Sequence, residues 1–69
     1  MRPADKLVMM ANQIARNLAV HGEEAAIAAT ADHIRRFWDP RMRAGIVAYV
    51  AGGGTLSPIA DAAVRRLEN

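Results

Sequence analysis

Sixty-nine residues suffice for one small domain, or for a subunit that is only part of one. Chains this short bury only about 60% of the surface their unfolded form exposes, and small scaffolds need staples or partners. There is no cysteine, which excludes a disulfide framework and thiolate metal chemistry, and a formal net charge of +2 is too small a surplus for a generic nucleic-acid binder.

The hydrophobic share of 52% is rich in alanine and poor in β-branched runs, which favours helix over strand. No apolar run approaches the roughly 20 residues of a membrane span. The start, Met1-Arg2-Pro3-Ala4-Asp5-Lys6, lacks the apolar core of a signal peptide, so a soluble, cytoplasmic chain is expected. The expected fold is all-α: a single domain over 1–69, with three to four short helices at about 4–20, 23–38, 40–51 and 58–67, in a small bundle completed by a partner subunit.

The first helix opens near Pro3 or Asp5, which suit the first turn and the positive helix start. At 100° per residue Leu7, Met10, Ala11, Ile14 and Leu18 share one stripe, while Lys6, Asn12, Gln13, Arg16 and Asn17 take the other side. Met9 falls among those polar residues and faces outward. His21-Gly22 breaks the helix, with Gly22 suited to a left-handed C-terminal position.

Glu23-Glu24 places two acids in the first turn of the second helix, where the dipole favours them. Ile27, Ala31, Ile34 and Trp38 form its stripe, and Asp32 and Arg36 are spaced to pair across a turn. Phe37 and Trp38 are neighbours about 100° apart on the helix, so both cannot point into one narrow core. One is expected to pack against the other helices and the other to flank that core or meet another molecule.

Asp39-Pro40 reads as a cap followed by a first-turn proline, stopping one helix and starting the next. Arg41 and Arg43 then sit in a first turn, where the macrodipole disfavours positive charge, and something acidic nearby would offset the cost. From Ala44 to Ala51 no charged residue occurs, the pattern of a helix covered on most sides. Two other short helices cover only part of such a surface, so a partner is expected. Gly52-Gly53-Gly54-Thr55 reads as a flexible connection. Ser57-Pro58 repeats the cap-then-proline signal, and Ile59, Ala63 and Leu67 mark the last helix, whose tail from Arg65 to Asn69 is expected to fray.

No chemistry-bearing constellation emerges. His21 and His33 lack the spacing of a ligand pair, Ser57 lacks a base with an orienting acid, and the glycines follow a helix rather than a strand, without the lysine of a phosphate loop. No catalytic, cofactor-binding or metal-binding residue is therefore assigned. The segment from His33 to Arg43 stands apart. It holds the single Phe, the single Trp and four of the nine basic residues. Arginine, tryptophan and methionine are enriched in protein interfaces. Nucleic-acid binding and homodimerisation through the third helix are the alternatives. The third helix makes a poor recognition helix, because after Arg43 it has almost no side chains that read base edges.

Asp5-Lys6-Leu7-Val8-Met9-Met10-Ala11-Asn12-Gln13-Ile14-Ala15, followed by Ala31-Asp32-His33-Ile34-Arg35-Arg36-Phe37-Trp38-Asp39-Pro40-Arg41-Met42-Arg43, is similar to the small delta subunit of bacterial NAD-dependent formate dehydrogenase. The chain departs from that family where members often carry aromatics near the end of the first helix; here stand Asn17 and Leu18. The resemblance implies a cytoplasmic assembly in which formate is oxidised to CO2 and NAD is reduced by other subunits. The large alpha subunit would carry a molybdenum or tungsten pterin and iron–sulfur clusters. Beta and gamma subunits would handle FMN and NAD. The delta subunit would bind no cofactor and would support assembly, cofactor insertion or stability. On this reading Met9, Asn12, His33, Arg36, Phe37, Trp38, Pro40, Arg41, Met42 and Arg43 face the partner. Trp38 and Met42 supply apolar contact, Arg41 and Arg43 meet carboxylates or carbonyls, and neither a nucleic acid nor a membrane is bound.

Overall fold

A computed structural model describes residues 4–67 of the chain. α1 runs over Asp5–Leu18 and tightens into a 3-10 turn at Ala19–His21; α2 spans Glu23–Phe37, α3 Pro40–Ala51 and α4 Pro58–Leu67. The architecture is all-α, with no strand among the described residues. Pro3 and the last two residues of the tail, where a first-turn role and fraying were expected, lie outside them.

The helix boundaries follow local chemistry. α1 closes two residues before the expected Val20, its end narrowing to a 3-10 turn as helix termini often do. Gly22 has the positive φ that favours glycine, at 94°, but its ψ of 156° is extended rather than left-handed helical. Its carbonyl accepts the Ala26 N–H at 2.9 Å and starts α2. α2 ends at Phe37 rather than Trp38, because Trp38 is already extended (φ −86°, ψ 137°). Asp39 is extended too, as the residue before a proline must be, and its Oδ1 accepts the Met42 N–H at 2.9 Å. The expected cap-then-proline corner is therefore present.

The triple glycine is a hydrogen-bonded helix cap rather than an open linker. The Gly54 N–H donates to the Tyr49 carbonyl at 2.9 Å and the Gly53 N–H to the Val50 carbonyl at 3.0 Å, with Gly53 at φ 94°. This is the Schellman pattern, which satisfies carbonyls that the end of α3 leaves over. Gly54 lies so close to the Tyr49 ring that a Cβ would stand 2.5 Å from it.

All four helices contribute to the main core: Ala11 and Ala15 from α1, Ile34 from α2, Ile46 and Val50 from α3, Ala60 and Val64 from α4, with Trp38 among them. A second cluster joins Ile27 and Ala31 of α2 to Ala63 of α4. The predicted stripe of α2 is thus buried throughout. Small residues let the backbones approach, and a Cβ on Gly45 would meet Leu7 Cδ1 at 2.8 Å.

α3 corrects one expectation. Its larger side chains are covered within this chain: Ile46 and Val50 are buried, and Met42, Val47 and Tyr49 pack half-buried against the core. What faces outward after Arg41 is Ala44, Ala48 and Ala51. The uncharged stretch therefore leaves methyl groups, not large apolar side chains, in water. Ser57 corrects another: its hydroxyl is buried with no hydrogen-bond partner among the described residues and does not cap α4.

Candidate partner-docking site

The ten residues expected at an interface divide into those spent on the fold and those left over. Trp38 belongs to the first group. It is 4% exposed and lies inside the main core. Turning extended after Phe37 takes Trp38 off the helical path, which resolves the conflict between adjacent aromatics. Met42 is half-buried against the same core.

Arg43 is also committed within the chain. Its Nη1 donates to the Trp38 carbonyl at 2.8 Å and to the Arg35 carbonyl at 3.0 Å. These are carbonyls at the end of α2, the negative end of its dipole, where a cation is favoured. The cost of a positive charge in the first turn of α3 is offset by the neighbouring helix rather than by an external acid. Arg35 reaches in the same way to the Arg66 carbonyl at 3.3 Å, near the end of α4. Both contacts escape sequence reasoning, because nothing in residue spacing shows which helix end an arginine will meet in space.

Asn12 has a structural task as well. Its Oδ1 accepts the Ser57 N–H at 2.9 Å, tying the start of α4 to α1 across 45 positions of sequence. It thereby satisfies a backbone donor at the helix entry that the Ser57 hydroxyl leaves untouched.

The remainder, Met9 apart, lies at the end of α2 and the start of α3. Phe37, at the last position of α2, is 70% exposed. The His33 ring lies against it, with centroids 4.8 Å apart and planes at 44°. Spacing of four along one helix makes such a pair possible. Arg36 pairs with Asp32 at 3.2 Å, as expected, with both side chains largely in water. Pro40 and Arg41 open α3 and are exposed. Arg41 has no hydrogen bond or ion pair among the described residues, in contrast to Arg43. Met9 stands apart on α1, 62% exposed. Val20, 80% exposed, was not foreseen; it sits in the 3-10 turn where the helical stripe no longer predicts which way a side chain faces.

Two of the shallow crevices on the described surface involve the arginines or the start of α4. One of about 420 Å³ lies between α1 and the start of α4, lined in part by Asn12, Arg16, Ser57 and Ile59. The other, about 500 Å³, is lined by Arg35, Arg43, Ala44, Val47 and Leu67. Neither assembles a nucleophile with a base: among the described residues the Ser57 hydroxyl has no hydrogen-bond partner, and the second crevice is lined by guanidinium groups and apolar side chains. Among the described residues no group of three or more His, Cys, Asp or Glu is placed to hold a metal. No helix among the described residues is long and apolar enough to cross a membrane.

Comparison with curated proteins and with solved structures gave no match. The family model described as NADH-dependant formate dehydrogenase delta subunit FdsD matches residues 6–64, nearly the whole chain, and the protein belongs to that family.

Proposed function

We propose that the chain is a non-catalytic accessory subunit of a cytoplasmic NAD-dependent formate dehydrogenase, docking on the large alpha subunit in a complex that also holds beta and gamma subunits. Its role is to stabilise the enzyme or to assist its assembly and cofactor insertion. The pterin-bound molybdenum or tungsten, the iron–sulfur clusters, FMN and NAD belong to those partners. This chain has no cysteine with which to ligate a cluster.

The observation that carries the reading is Phe37, left 70% exposed on a chain whose four helices share one core. Burying a phenylalanine side chain is worth about 1.5–3 kcal/mol, and leaving it in water forgoes that gain. A partner surface recovers it. The reading is tested by producing the enzyme with and without this chain. Omission should lower the molybdenum or tungsten content or the melting temperature of the remaining subunits, and adding the purified chain back should restore thermal stability without changing KM for formate. Unchanged metal content and stability on omission would refute an accessory role.

A further inference from the structure

The accessory reading leaves open which face docks and what it meets; the inference here rests on that reading. We propose that the α2–α3 corner formed by His33, Arg36, Phe37 and Arg41 is the docking surface, and that its occupant is an acidic segment of a partner subunit that lays an apolar side chain on Phe37 and a carboxylate on Arg41.

Charge complementarity carries the choice of occupant. From Asp32 to Arg43 the chain has four arginines against two aspartates, a surplus of two positive charges, which equals the formal net charge of the whole protein. Both aspartates are already engaged: Asp32 with Arg36 at 3.2 Å, and Asp39 Oδ1 with the Met42 N–H at 2.9 Å. Arg43 and Arg35 donate to backbone carbonyls at helix ends. Arg41 alone of these arginines has neither an ion pair nor a hydrogen bond among the described residues, and it stands at the positive end of α3, where its charge is least welcome. An incoming carboxylate answers both the guanidinium and the helix end.

The apolar half of the site is equally particular. Phe37 ends α2, the His33 ring flanks it at 4.8 Å, and Arg41 follows it by four positions of sequence across the Trp38-Asp39 junction. Arginine and aromatic residues together are the composition of interface anchors. The backbone on either side of Phe37 in sequence is tied down, since Arg43 donates to the carbonyls of Arg35 and Trp38. The corner is therefore preorganised, and docking needs little reordering of this chain.

The test titrates the full chain against the remaining subunits of the same enzyme, at low and at high salt. Four chains are compared: wild type, Phe37→Ala, Arg41→Glu, and Lys6→Glu as an exposed charge reversal on a different helix, α1. Phe37→Ala and Arg41→Glu are each expected to weaken binding by at least about tenfold, which corresponds to about 1.4 kcal/mol. Lys6→Glu should stay within about twofold of wild type, and salt should weaken wild type more than Arg41→Glu. Equal losses for Arg41→Glu and Lys6→Glu would mean that only net charge matters and would overturn the proposal. So would wild-type affinity in either corner variant, or tighter binding to an RNA or DNA oligonucleotide that Arg41→Glu abolishes. Failure of the wild-type chain to bind the subunits at all would bring down the accessory reading itself.

Discussion

Phe37 and Trp38 are bonded neighbours with opposite fates, 70% and 4% exposed, and their substitution should separate folding from docking. Removing a buried tryptophan costs about 3–5 kcal/mol, which is most of the stability available to a domain of this size. Trp38→Ala is therefore expected to abolish cooperative unfolding of the isolated chain, followed by circular dichroism on heating. Phe37→Ala should leave that melt within about 0.5 kcal/mol of wild type, as exposed substitutions do. Arg43 belongs with Trp38 rather than with Arg41. Arg43→Ala deletes two charge-assisted hydrogen bonds, of 2.8 and 3.0 Å, and should cost about 1–2 kcal/mol in a urea titration. Arg41→Ala, by contrast, relieves an unfavourable dipole contact and should leave stability unchanged or slightly raised. Residue chemistry marks all four side chains as interface material, because arginine and aromatics serve cores, helix ends and interfaces alike. Only their positions in space tell these uses apart.

At the scale of the helix, what sequence shows well is periodicity and punctuation. α3 and α4 begin and end at the expected residues, and the Asp39-Pro40 corner has the expected hydrogen bond, because caps and prolines act on their immediate neighbours. What it shows poorly is whatever depends on a second element. Asn12 looks like a surface polar residue on the outer side of α1, yet it receives the Ser57 N–H from the start of α4. Asn12→Ala should therefore destabilise the chain by about 1 kcal/mol and raise amide exchange at the start of α4 more than elsewhere. Gly52-Gly53-Gly54 looks like a linker and is the cap of α3. Ala at position 53 would be strained at φ 94°, and Ala at 54 would collide with the Tyr49 ring. Gly53→Ala should lower stability by about 1 kcal/mol or more, whereas a true linker would tolerate it or gain stability.

Over the whole molecule, the expectation of surplus apolar surface is met only in part. α3 lacks charge after Arg43, which reads as a helix in need of cover, but much of that stretch is alanine, and its larger side chains enter the core shared by all four helices. Counting apolar letters overstates the exposed apolar area when those letters are small. Among the described residues the large apolar groups left in water are Met9, Val20 and Phe37, which fits a folded body that docks rather than a fragment that needs a partner to fold. Trp38 is the single tryptophan, and its fluorescence reads this directly in the isolated chain. Blue-shifted emission is expected, protected from a soluble quencher before any partner is added and little changed by complex formation. Red-shifted, readily quenched emission that becomes protected only in the complex would contradict it.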